Sequence, residues 1–153
     1  MNFYNLINKI VEEENNVDIF VDMDGVIAAY RPGEKFNFKT KRPLLSNINT
    51  LEKVSKIKGV NLFILSICRE NYQRDDKNEW LDKYASFFNK ENRYILSKEE
   101  IINLSSAEIK LNFLKNYKTS NKIILLDDDN HVLKTIGKEL DNILLLQDSE
   151  LVD

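Results

Sequence analysis

The chain has 153 residues, enough to bury a core of its own, and its 42% hydrophobic and 31% charged content is that of a folded protein. A formal net charge of −3 leaves no electrostatic footprint for broad nucleic-acid binding. The single cysteine, Cys68, excludes an intrachain disulfide framework, no apolar run is long enough to cross a bilayer, and residues 1–5 lack the basic start and apolar core of a secretory signal. The expectation is one cytoplasmic domain over 1–153, with no membrane partner.

Phe3, Leu6, Ile7, Ile10 and Val11 recur at helical spacing and predict an amphipathic helix ending near Asn15. The apolar run that follows reads as a first strand over 17–22, broken by Gly25. Residues 28–43 have no period and carry the turn signal Arg31-Pro32-Gly33. They set Arg31, Lys35, Lys39, Lys41 and Arg42 against Glu34, and read as a short, locally basic flap. Leu45, Ile48, Leu51, Val54 and Ile57 predict a helix over 44–58 with Gly59 as its stop, and a second strand covers 60–66. Trp80, Leu81, Tyr84, Phe87 and Phe88 predict a helix over 76–89. A short strand over 93–96, a helix over 106–117, a strand over 122–127, a helix over 131–140 and a fifth strand over 142–146 complete the pattern.

This βαβα alternation, with strands apolar almost throughout, argues for an α/β fold. It would be a three-layer, Rossmann-like parallel sheet of about five strands with helices on both faces. Right-handed crossovers place the C-terminal ends of the strands along one edge, where such sheets bind ligands. Asp22, Ser66 and Asp127 fall on that edge.

In Phe20-Val21-Asp22-Met23-Asp24-Gly25-Val26 two acids stand one residue apart at a strand end, and strand alternation would send both to the same side. Carboxylates held together repel, so the pair suits a divalent cation or a shared proton. A second cluster, Asp127-Asp128-Asp129, ends the later apolar run. Taken alone, Asp127 could be a turn-maker or cap, Ser66 could be a cap, and one of Asp128 and Asp129 should cap the helix starting near His131. Capping asks for neither the strand nor the spacing of Asp22 and Asp24. His131 reads as a surface residue, Trp80 as core and Cys68 as a small, partly buried side chain.

In these motifs the chain resembles the haloacid dehalogenase-like (HAD) phosphohydrolases. The matching residues are Asp22-Met23-Asp24-Gly25-Val26, Leu65-Ser66, Lys110 within Glu108-Ile109-Lys110, and Leu126-Asp127-Asp128. The wording Val21-Asp22-Met23-Asp24-Gly25-Val26 is most similar to the 5'(3')-deoxyribonucleotidase-like branch, and Lys77-Asn78-Glu79-Trp80-Leu81-Asp82-Lys83-Tyr84 is similar to small proteins of that type. The resemblance implies a phosphomonoester hydrolase that depends on Mg2+, with nucleoside monophosphates as candidate substrates. Asp22 would attack phosphorus to form an aspartyl-phosphate, and Asp24 would protonate the leaving oxygen and then activate water. Asp22, the backbone carbonyl of Asp24 and the Asp127/Asp128 pair would bind the metal, an all-oxygen set that suits magnesium better than zinc. Ser66 and Lys110 would hold the equatorial oxygens. Lys115 is the rival lysine; Lys110 is preferred because it lies nearer its helix start. Arg69 and Arg74, just past Ser66, are candidate substrate contacts, with plain solvation as the alternative.

The intervals between these motifs leave room for a flap but not for a helical cap, so the resemblance implies a capless enzyme with a site open to solvent. Such a site suits a large substrate or closure by a partner subunit, which makes a homodimer an expectation to test. Two other readings stay open. One is a polynucleotide end-phosphatase, which the basic flap could accommodate; the other is a non-catalytic phosphate-binding or regulatory module of the same fold.

Overall fold

The computed structural model describes residues 1–31 and 37–152. Helix α1 (Phe3–Glu14) starts at Asn2, whose side-chain oxygen accepts the Asn5 N–H at 2.8 Å, and stops at Asn15 with φ +70°. The chain then alternates through β1 (Val17–Val21), α2 (Leu45–Ser55), β2 (Val60–Cys68), α3 (Asn71–Tyr84), β3 (Arg93–Ser97), α4 (Ser106–Asn116), β4 (Lys122–Leu126), α5 (Asn130–Glu139) and β5 (Ile143–Leu146). The five strands form one parallel sheet in the order β3-β2-β1-β4-β5. Among the described residues no helix is long and apolar enough to cross a membrane.

Period-two alternation builds the two faces of the sheet. Val17, Ile19 and Val21 pack with Ile7 of α1, Leu51 and Val54 of α2, and Trp80 and Leu81 of α3. Phe20 points to the other face, where Leu65 and Leu125 meet Ala107 and Leu114 of α4 and Val132 and Ile136 of α5. Full burial of each such aliphatic or aromatic side chain contributes about 1.5–3 kcal/mol. From β1 the chain winds outward to β2 and β3, and α4 carries it back to β4 on the other side of β1. The strand order therefore reverses between β1 and β4, which is where an open α/β sheet forms its crevice.

At the opposite end of β1, Asp18 is buried and accepts from Asn61 Nδ2 (3.0 Å), Thr119 Oγ1 (2.9 Å), Asn121 Nδ2 (3.2 Å) and Tyr117 OH (3.2 Å). Burial, and then the Asp18 charge, push the Tyr117 phenol up to about 12.

Two boundaries depart from the periodicity. Helix α3 begins at Asn71 and ends at Tyr84, so the expected span of 76–89 is displaced toward the C-terminus. Gln73 Oε1 accepts the backbone N–H groups of Arg69 (2.9 Å) and Glu70 (3.1 Å) and fixes the earlier start. Phe88 is buried beyond the helix end, supplying core contacts from a loop. Strand β2 runs on to Cys68 because its last residues pair with β3, ending in Cys68↔Ser97. In the flap, Ala28 bridges to Asp24 and to Pro43, and a 3-10 turn covers Phe38–Thr40. The expected turn at Pro32-Gly33 and the charges of Glu34 and Lys35 lie outside the described residues.

Candidate active site

Register puts the first acid of each cluster side by side. Val21 pairs with Leu126, the Asp22 N–H donates to Leu126 O (3.0 Å), and the Asp127 N–H donates to Leu146 O (3.1 Å). Both side chains are buried at the strand ends. Lys110 reaches them from the first turns of α4, its Nζ 2.6 Å from Asp127 Oδ2 and 3.1 Å from Asp22 Oδ1. A capping box sets that reach: Ser105 Oγ accepts the Glu108 N–H (3.2 Å) and Glu108 Oε1 accepts the Ser105 N–H (3.3 Å). Lys115, at the far end of the same helix, is exposed.

The electrostatics of this group follow from burial. Desolvation pushes the Asp22 carboxyl up to about 7; Lys110 opposes the shift and Asp127 adds to it. Burial pulls Lys110 down, yet Asp22 and Asp127 together outweigh it and hold the ammonium above the ordinary lysine value. Asp128, partly exposed, is raised to about 6 by desolvation and by Asp127. One carboxylate oxygen from each of Asp22, Asp127 and Asp128 lies within 4.8 Å of the other two. Three hard oxygen donors whose negative charge lacks full compensation fit a divalent cation, so the cluster could hold a metal ion.

Asp24 is held differently. The regular strand stops at Val21, Met23 is buried in the layer of α1 to α3, and Gly25 takes φ +80° as the chain folds back onto Ala28. Alternation therefore does not extend to Asp24. Its carboxylate, about one-third exposed, has Lys41 Nζ 3.1 Å from Oδ1 and Lys77 Nζ 3.4 Å from Oδ2. The two acids pair with lysines from opposite layers, and both face one cleft of about 800 Å3.

The other expected site residues are distributed unevenly. Ser66 is buried, does not line the cleft, and accepts a 2.7 Å hydrogen bond from Lys77 Nζ. Arg69 lines the cleft. Arg74 does not; its Nε donates to Ile95 O (2.8 Å) and its Nη2 pairs with Glu100. Asp129 caps α5 by accepting the His131 N–H at 2.8 Å, and its own N–H donates to Asp127 Oδ1 (3.0 Å). Among the flap cations, Arg31 and Lys41 line the cleft, whereas Lys39 pairs with Asp76 (3.6 Å) and Glu79 (3.3 Å) of α3.

Lys77 is the residue that sequence reasoning missed as part of the site. It shares the buried stripe of α3 with Gln73, Trp80 and Leu81. A lysine three and four residues before the apolar pair Trp80-Leu81 was the available signal.

No protein-family model and no curated relative matches the sequence. A chain in the structure of the Pnkp1/Rnl/Hen1 RNA repair complex is similar in fold, with a TM-score of 0.66 and 22% identity over 86% of this chain and 42% of that chain. This chain thus spans less than half the length of that neighbour, and what the two share is an α/β architecture built on a parallel sheet flanked by helices.

Proposed function

We propose that this chain is a metal-dependent phosphomonoester hydrolase of the HAD type, working through an aspartyl-phosphate on Asp22. The observation that carries the reading is the position of Asp22. It stands at the end of β1, ion-paired to buried Lys110 and beside Asp127 and Asp128, with Asp24 on the same cleft. A carboxylate oxygen of Asp22 forms the new bond to phosphorus as the bond to the leaving oxygen breaks, and Asp24 gives that oxygen a proton. Asp24 then takes a proton from water, whose oxygen attacks phosphorus and frees Asp22 and inorganic phosphate. Lys110, ion-paired to Asp22 on one flank of the cleft, supplies a fixed donor for the equatorial oxygens. Asp22, Asp127, Asp128 and the Asp24 carbonyl would hold Mg2+, which when bound offsets the repulsion between a carboxylate and a phosphate dianion.

Nucleoside monophosphates are the first substrate class, on the likeness of the motif around Asp22 to deoxyribonucleotidases. A phosphorylated polynucleotide end is the second reading. The cleft is open and lined by Arg31, Lys41, Arg69 and Lys98, and the fold neighbour belongs to an RNA repair complex.

The test is hydrolysis of p-nitrophenyl phosphate by the wild type and Asp22→Asn, with Mg2+ and with EDTA. A panel of nucleoside monophosphates and 5'- or 3'-phosphorylated oligonucleotides follows. Activity that needs both metal and Asp22 is expected; turnover indifferent to Asp22 would overturn the mechanism. Oligonucleotides hydrolysed faster than mononucleotides, with binding that weakens steeply in salt, would select the second substrate reading.

A further inference from the structure

We infer that Lys77, rather than the hydroxyl of Ser66, binds the substrate's phosphoryl group on the Asp24 side of the cleft, and that Ser66 serves to hold Lys77 there. The inference rests on the phosphatase reading for the identity of the ligand. Its geometry stands apart from that reading.

A buried ammonium is costly unless its three donors are satisfied, and Lys77 is only 1% exposed. Two of its hydrogen bonds are short and go to β2: Ser66 Oγ at 2.7 Å and Ile67 O at 2.9 Å. The third, to Asp24 Oδ2, is 3.4 Å, well beyond the roughly 2.7–2.9 Å of a strong N+–H···O− bond. Lys77 is therefore anchored to the sheet and loosely held toward the cleft. The donor aimed at Asp24 is the one an incoming phosphate oxygen can share.

Ser66 is placed for the opposite role. Its oxygen is the acceptor that anchors Lys77, and the residues lining the cleft include Lys77 but not Ser66. The Phe38 ring, its centroid 5.0 Å from Lys77 Nζ, adds a face on which the cation rests. Lys77 and Lys110 then form a matched pair. One comes from α3 beside Asp24, the other from α4 beside Asp22, and both line the cleft between the two carboxylates. The charge of Lys77 extends to Asp22 as well, where it works with Lys110 against the effect of burial.

The experiment compares the wild type, Lys77→Met, Lys77→Arg and Ser66→Ala. Inorganic phosphate binding is measured by calorimetry in Mg2+, and kcat and KM on p-nitrophenyl phosphate. Thermal unfolding of each variant establishes that it is folded. Loss of a charge-assisted hydrogen bond weakens binding about 10- to 100-fold, and Lys77→Met is expected to lose phosphate affinity and kcat/KM on that scale. Ser66→Ala is expected to lose about tenfold less of either than Lys77→Met, and Lys77→Arg to fall between them. Phosphate affinity in Lys77→Met equal to the wild type would overturn the inference, as would a loss in Ser66→Ala that matches or exceeds it. Should Lys77→Met fail to fold, the order of Lys77→Arg and Ser66→Ala decides, with the larger loss expected in Lys77→Arg. A wild type that binds phosphate through Lys77 without hydrolysing the ester would sink the phosphatase reading and leave this assignment standing. A wild type that neither binds nor hydrolyses would overturn both.

Discussion

Gly25 and Asp128 compete for the same space: a Cβ placed on Gly25 would lie 2.0 Å from Asp128 Oδ2. The absence of a side chain at Gly25, as much as its φ of +80°, lets Asp128 close over the end of β1. Gly25→Ala should therefore do two things. It adds about 1–3 kcal/mol of backbone strain, lowering Tm by several degrees, and it displaces Asp128 and weakens Mg2+ binding. Calorimetric metal titration beside thermal unfolding checks this; a variant with lower Tm and unchanged metal affinity would show that Asp128 is not a ligand.

Asp22→Asn is expected to reduce hydrolysis by at least about a thousandfold, as loss of a nucleophile does. The same change should raise, not lower, the Tm of the metal-free protein. Burial holds the Asp22 carboxyl up to about 7, so its charge opposes folding near neutrality, and an amide oxygen can still accept from Lys110. Thermal unfolding in EDTA at pH 8 tests the second half; a fall in Tm would mean that the Asp22–Lys110 pair stabilises the fold.

The raised values also fix a pH dependence. Asp22 at about 7 and Asp128 at about 6 both lie above their ordinary value of 3.8, so the metal-free folded state binds more protons than the unfolded chain between those limits. The stability they contribute is fully present below 3.8 and is lost as pH rises through about 6 to 7. Stability in EDTA should therefore increase from pH 8 to pH 5.5, while Mg2+ affinity falls over the same range because the ligands become protonated. Denaturant titrations at the two pH values, with and without metal, measure both slopes.

Lys110→Met should be severe. It leaves buried Asp22 and Asp127 facing each other without their cation, a change that costs about 3–5 kcal/mol in comparable buried pairs, and it should abolish turnover. Lys115→Met, at an exposed position of the same helix, should leave both stability and rate close to wild type. Equal effects of the two substitutions would remove Lys110 from the site.

Most of the frame was legible because apolar runs that end in Asp are short-range signals. β1 and β4 stop at Val21 and Leu126, each followed by its acid, and the sheet needs little else to bring Asp22 and Asp127 together. Lys110 could be chosen from its place near a capped helix start. Lys77 was not legible, since its burial depends on Ser66 and on Asp24, the latter 53 residues away. The same polar residues obscured the start of α3: where a helix faces a cleft rather than a core, Gln73 and Lys77 break the hydrophobic period. Phe87 and Phe88 continued that period in sequence, although the helix ends before them. Asp22 and Asp24 do face the same cleft, as expected, but the regular strand ends at Val21, so strand alternation is not what brings them there.

The buried Asp18 lies one strand's length from Asp22, roughly 13 Å at about 3.3 Å per residue, and its hydrogen-bond partners are Asn61, Tyr117, Thr119 and Asn121 rather than residues of the candidate site. Yet it gathers Asn61 at the start of β2, and Thr119 and Asn121 just ahead of β4, onto the foot of β1. A slip of one residue between β1 and β4 would turn Asp127 to the wrong face and part it from Asp22. The paired carboxylates of Asp22 and Asp127 are thus aligned from the far end of the sheet. A metal held by this cluster would then report on strand alignment, and damage at the foot of β1 would blunt the candidate site while every residue in it remained intact.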